Sequence, residues 1–94
     1  MNVIFTEHAR ERLVKRDIRE RMVIQVLENP DNIYYDLREG NFVAVRKIIE
    51  EDKKKLLIVI FAETAEGRRV ISTIKSSKLG IPENRVKKGR WIEL

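Results

Sequence analysis

At Asn29-Pro30 the apolar residues of this chain change period, from the spacing of a helix to that of a strand, and this switch constrains the fold more than any other feature. Before it, Ile18, Met22, Val23, Val26 and Leu27 recur at i, i+4, i+5, i+8 and i+9, one stripe of a helix. Asn29-Pro30 stops that helix, because a residue preceding proline is pushed out of the α region. An earlier helix, running to about Arg16, is predicted from Thr6 as N-cap, Glu7 at the positive end of the dipole, and a buried ridge of Ala9 and Leu13. Glu11 and Lys15 add a favourable i, i+4 pair. Asp17 reads as a second N-cap, with Glu20 three residues on completing an Asp variant of the capping box. Asn2 to Phe5 reads as a short strand.

After Pro30 the β pattern takes over. Ile33–Leu37 and Phe42–Ile49 are strand-like and are separated by the turn Arg38-Glu39-Gly40-Asn41. Glu50 to Lys54 reads as a charged hairpin tip. Leu56 to Ala62 is a continuous apolar run, which predicts a central strand covered on both faces. Thr64 to Gly67 turns the chain into a last long strand, Arg68 to Ser76. Strict alternation there places Arg69, Ile71, Thr73 and Lys75 on one face and Val70, Ser72, Ile74 and Ser76 on the other. Short connections imply an antiparallel meander. The expected class is α+β: a helical hairpin, about residues 6–28, packed on a four- to five-stranded antiparallel sheet. One domain spans residues 1–94, with residues 78–94 as a basic tail whose apolar end, Trp91, Ile92 and Leu94, docks as an edge strand or packs on the body.

Cysteine is absent and histidine occurs once, so a disulfide framework, a Cys-based zinc site and a His-rich metal site are excluded, and no metal or cofactor is expected. The apolar start, Met1 to Phe5, is too short for a signal peptide, and no run approaches the length of a membrane span, so a soluble cytoplasmic protein is expected. A charged fraction of 37% without cysteine also fits a thermophile. The positive charge is concentrated: Arg68 to Leu94 holds eight Lys/Arg against two Asp/Glu, a local excess larger than the net +5 of the whole chain. Such a segment points to a polyanionic partner, nucleic acid or an acidic protein, although a solvated surface has the same composition.

Two clusters could carry chemistry. His8, Arg12 and Arg16 are four residues apart on one helix face. An imidazole that titrates near neutrality beside two planar guanidinium forks suits a phosphate; the alternative is a solvated face with ion pairs. Thr73, Lys75, Ser76 and Lys78 gather late in the last long strand, where lysines also serve to protect a sheet edge. Arg46 and Lys47 point to opposite faces of one strand, as do Tyr34 and Tyr35. One tyrosine is expected in the core, and the other is free to stack on a base. No phosphate-binding glycine loop is present, and the lone histidine has no evident carboxylate for a Ser-His-Asp arrangement.

The stretch Thr6-Glu7-His8-Ala9-Arg10-Glu11-Arg12-Leu13-Val14-Lys15-Arg16-Asp17-Ile18 resembles the opening of a bacterial and archaeal family of small domains placed near RelE-like and BrnT-like toxins. In that family a His-Ala-x-x-Arg helix is followed by Arg-Gly-Ile, a helix ending near Asn-Pro, and a β-meander. Val23 to Pro30 and Val70 to Lys78 are similar to its second helix and its closing strand. The likeness covers most of residues 3–79. Asp17 departs from it, standing where the family usually has glycine.

The resemblance implies a RelE-like fold and a toxin of a type II toxin–antitoxin pair, a metal-independent endoribonuclease acting on mRNA. Its partners would be RNA and an acidic antitoxin protein. His8 would transfer the proton, with Arg12 and Lys75 completing a catalytic group at the scissile phosphate. Arg16, Arg46, Thr73, Lys78, Arg85, Lys87, Lys88 and Arg90 would bind RNA. Three rival readings are a nucleic-acid-binding module without catalysis, a toxin that acts by binding protein through its exposed helical hairpin, and a plain interaction protein whose basic tail meets an acidic antitoxin.

Overall fold

The computed structural model describes all residues, 1–94. In chain order the elements are β1 (Val3–Phe5), α1 (Glu7–Lys15), α2 (Glu20–Glu28), β2 (Asn32–Asp36), β3 (Asn41–Glu50), β4 (Lys53–Thr64), β5 (Gly67–Ser76), α3 (Ile81–Lys87) and β6 (Trp91–Glu93). The period switch at Pro30 therefore marks the boundary between a helical N-terminal part and a sheet. The fold is α+β: two N-terminal helices, a six-stranded mixed sheet and a C-terminal helix. No helix is long and apolar enough to cross a membrane.

The strand order is β1-β5-β4-β3-β2-β6. The meander β2 to β5 is antiparallel throughout, as expected from its short loops. The expected sheet of four to five antiparallel strands is nevertheless too small and too uniform. β1 joins β5 in parallel, Val3 to Phe5 facing Arg68 to Val70, because both helices and the meander separate the two strands along the chain. Gly67 permits this approach. A Cβ at its φ of 139° would lie 2.5 Å from the Asn2 carbonyl oxygen. The sixth strand, β6, pairs antiparallel with the outer side of β2.

Both faces of the sheet are covered. On one, Leu13, Ile18, Val23, Val26 and Leu27 from the helical part pack against Ala44, Leu57, Val59, Phe61 and Val70. On the other, Tyr34, Val43, Val45, Leu56, Ile58 and Trp91 form a second cluster, with Ile60 and Ile81 against it. β4 thus feeds both cores, Leu57, Val59 and Phe61 to one and Leu56 and Ile58 to the other, which explains its unbroken apolar run. The second core is closed by the supposed tail, which is not irregular. Pro82 starts α3 within its first turn, where its missing N–H costs no hydrogen bond, and Trp91 returns the chain to the sheet.

Thr6 caps α1 as expected, its Oγ1 accepting from Ala9 N at 3.0 Å. Asp17 does not cap α2, which begins at Glu20 after an Arg19 that makes no side-chain cap bond. Instead Asp17 has φ 54°. That left-handed conformation favours glycine and tolerates aspartate, which accounts for glycine in the resembling sequences. Asp17→Gly should therefore leave stability unchanged or raise it by up to about 1 kcal/mol, whereas Asp17→Val should lower it by about 1–2 kcal/mol. Thermal denaturation of the two variants decides; equal losses from both would restore a side-chain role for Asp17.

Two further differences are local. The hairpin tip between β3 and β4 is only Glu51-Asp52, both at positive φ (51° and 62°), a mirror-type two-residue turn tighter than the charged loop expected. The ladder between β4 and β5 shifts register at Ile60/Phe61: Phe61 faces Val70 and Ile60 faces Ser72. Ile71 is the extra residue, so Val70 lies on the same face as Thr73 and Lys75 rather than opposite them.

Candidate phosphate-binding site and an aromatic concavity

α1 lies over β5 on the helical side of the sheet because Ala9 and Leu13, one turn apart, must be buried there. His8, Arg12 and Arg16 form the flank of that ridge. His8 and Arg12 are exposed, and their side chains make no hydrogen bond or ion pair within the fold. Arg16, at the C-terminal end of α1, reaches the sheet, its guanidinium donating to the Thr73 carbonyl. Thr73 is itself buried. β1 pairs only with Arg68 to Val70, so the later half of β5 has no strand on its outer side. There Arg16, Ile74 and Lys75 line an open concavity of about 420 Å³.

Lys75 does not project freely into this concavity. Its Nζ donates to the Asp17 carbonyl and to Glu50 Oε2, both at 2.9 Å, and its side chain is 12% exposed. Glu50 also accepts from Lys55 Nζ at 2.9 Å. Hydrogen bonds from Lys75 and then Lys55 hold the Glu50 carboxyl below the usual carboxylate range. The ammonium therefore ties the turn after α1 to the β3–β4 tip, and Glu50 compensates much of its charge. Of the sequence-derived cluster, Arg16, Thr73 and Lys75 come together. His8 and Arg12 continue the same helix face without a bond to Lys75.

The other candidates are dispersed. Arg46 Nη1 donates to the Asn29 carbonyl at 2.7 Å and so caps the end of α2. Lys78, Lys87 and Lys88 are exposed and unpaired. Arg85 stands over the Trp91 ring, 5.9 Å from its centroid. Arg90 is drawn inward, with Nε 3.5 Å from Asp36 Oδ1. Asp36 is buried, which raises its carboxyl, but the Glu39 and Arg38 amides, Trp91 Nε1 and Arg90 outweigh burial and leave it lowered. Arg90 thus serves the second core, and the charge of the C-terminal segment that has no carboxylate partner is carried by Lys78, Arg85, Lys87 and Lys88. No group of His, Cys, Asp and Glu is arranged to hold a metal ion.

A site that the sequence did not reveal lies beyond the end of α2. Tyr35, Phe42 and Phe61 form an aromatic row across β2, β3 and β4, with centroid separations of 5.2 and 5.6 Å. Arg68 of β5 covers the far end, its guanidinium 5.0 Å from the Phe61 centroid. Phe42 and the buried Phe61 border a concavity of about 440 Å³ whose other lining residues include Asp31, Ile33, Glu63 and Leu94. Alternation shows that Tyr34 and Tyr35 point opposite ways but not which of them enters the core; Tyr34 does. The grouping of Phe42, Phe61 and Arg68 was not legible, because only the register brings them together.

The family model described as Domain of unknown function (DUF4258) matches residues 5–81. No curated protein and no solved structure matches the chain.

Proposed function

For this chain, which belongs to the DUF4258 family, we propose an RNA-directed function of the toxin type: binding of single-stranded RNA through its phosphates along α1 and the open half of β5. One observation carries the proposal. Arg16 and Lys75 meet at a concavity beside the unpaired edge of β5, and Arg12 and His8 extend the same α1 face away from it. Exposed guanidinium groups match phosphate oxygens with paired donors. Lys78 lies two residues beyond the end of β5 and lengthens the cationic track. In this setting an acidic antitoxin would compete with RNA for the same surface.

Cleavage of the bound RNA is the second reading, favoured by the position of His8. Its imidazole is unpaired and exposed at the head of the stripe, free to meet a 2′-hydroxyl. The 2′-oxygen would attack the adjacent phosphorus as His8 takes its proton. The bond to the 5′-oxygen would break, and that proton would return to the leaving oxygen. Arg12 and Arg16 would neutralise the charge that develops on the phosphoryl oxygens. The network around Lys75 favours binding over catalysis for that residue, because its ammonium already has a carboxylate partner.

Induced expression of wild type and His8→Ala in a heterologous host separates the two readings. Cleavage predicts growth arrest with RNA fragments ending in cyclic phosphate, and a fall in fragmentation of about 10²–10⁴-fold in His8→Ala. Intact RNA with wild type, together with RNA binding that survives in His8→Ala, leaves the binding function alone.

A further inference from the structure

We infer that the concavity between α3 and the β2–β6 pair is a binding site for a primary ammonium group on an aliphatic stem. The inference stands apart from the RNA-directed reading, since the site lies on the sheet face opposite α1. The carrying observation is a buried hydroxyl that the fold leaves without a partner. Tyr34 is 4% exposed, yet its phenol makes no hydrogen bond within the chain. Its ring packs on Trp91, and the residue lines a concavity of about 310 Å³ together with Asn32, Glu83, Val86, Lys87 and Glu93. A buried hydroxyl ordinarily has a partner, so a phenol that opens on this space calls for one from outside the fold. Three elements build the wall. Glu93 of β6 faces Tyr34 of β2 directly across the ladder, and Asn32 stands two residues along the same strand face. Glu83, Val86 and Lys87 share one face of α3 at i, i+3 and i+4, turned onto the strands.

The wall selects the ligand by charge and by direction. Two carboxylates stand against one ammonium, so the space is acidic in a basic chain and repels phosphate. The Glu83 carboxylate has no hydrogen bond or ion pair within the fold, and Glu93 accepts only a long bond, from Asn32 Nδ2 at 3.5 Å. Lys87 pairs with neither. Burial, then Glu93 and Glu83, push the Tyr34 phenol up, so its hydroxyl stays protonated beside them and its oxygen remains an acceptor. Carboxylate, phenol and amide oxygens thus border the space from a helix and two strands. An ammonium offers three donors in different directions and suits such a set, whereas a guanidinium fork matches the paired oxygens of one carboxylate. Val86, 39% exposed, gives an aliphatic stem an apolar wall. Two carboxylates fall short of the roughly six to eight oxygen ligands that a calcium ion takes.

Titration of the full chain with n-butylammonium chloride, followed by NMR, tests the site. At millimolar concentration it should produce saturable shifts at the Tyr34 ring and the Asn32 side-chain amide. Tetramethylammonium chloride, which has the charge but no N–H donor, should produce far smaller ones. Tyr34→Phe keeps the ring and removes the hydroxyl, and should weaken butylammonium about fivefold. Glu93→Gln, on the exposed rim, should weaken it at least as much and covers the case in which Tyr34→Phe disturbs the second core. Lys87→Ala removes a like charge and should tighten binding severalfold. Putrescine and Nα-acetyl-lysine amide as competitors distinguish the sources of the group: preference for putrescine marks a free polyamine, and preference for the lysine derivative marks a lysine of a protein partner. Three results would overturn the site: equal shifts with the two ammonium salts, unchanged affinity in both Tyr34→Phe and Glu93→Gln, or binding that appears only in Lys87→Ala, since Lys87 would then be the occupant. None of them depends on whether the α1 face binds RNA.

Discussion

Trp91→Ala is expected to lower the unfolding free energy by roughly 3–5 kcal/mol, the usual cost of emptying a large buried aromatic site. Trp91 is 6% exposed, packs on Tyr34 with ring centroids 5.3 Å apart, and donates Nε1 to Asp36 Oδ2 at 3.3 Å. A domain of this length has roughly 5–14 kcal/mol in total, so the variant should lose a large share of its stability. Trp91→Phe keeps the ring but not the donor and should cost about 1–2 kcal/mol. Asp36→Ala should approach the cost of Trp91→Ala, because it strands the Arg38 and Glu39 amides, Trp91 Nε1 and Arg90 together. Urea denaturation measures all three. Values within about 0.5 kcal/mol of wild type would show that the C-terminal segment is not part of the core.

Asp36 also sets a pH dependence. Its carboxyl is lowered in the folded chain, so between the folded value and the ordinary carboxylate value the unfolded chain binds more protons. The contribution is complete above the unfolded value, about 3.9, and is lost as pH falls through the lower folded value. Asp36→Asn should be less stable at neutral pH and should flatten this part of the acid limb.

How much of this was legible in the sequence depended on whether a signal was periodic or pairwise. The helices showed because Ala9 and Leu13, and then Met22, Val23, Val26 and Leu27, repeat at helical spacing. β4 showed because a strand feeding two cores has no polar residue to interrupt it. α3 was hidden by its length of seven residues and by Gly80 and Gly89 on either side, and β6 pairs over only three residues. The role of Asp17 depended on its φ, which composition does not encode. The face of Val70 depended on a bulge, and one extra residue reverses alternation.

The candidate site divided in the same way. The α1 stripe of His8, Arg12 and Arg16 is a matter of spacing and could be read directly. The partners of Lys75 and Arg90 could not. Glu50 and Asp36 lie far from them in the chain, and only the fold turns a basic side chain into one half of an ion pair. A count of lysines and arginines therefore overstates the charge available to RNA, and the unpaired residues Arg12, Lys78, Lys87 and Lys88 carry more of it than the total suggests.

Phosphate binding by α1 is decided by the salt dependence of affinity for a single-stranded oligoribonucleotide, measured on wild type and on Arg12→Gln/Arg16→Gln. Glutamine removes the charge and leaves a donor for the Thr73 carbonyl, so the fold should be retained. If each guanidinium neutralises one phosphate, the plot of log affinity against log salt should be shallower by about 1.4 in the variant, and affinity in about 0.1 M salt should fall about 25-fold. The same slope and affinity in both proteins, or no binding by wild type at low salt, would contradict an RNA-binding role for this surface.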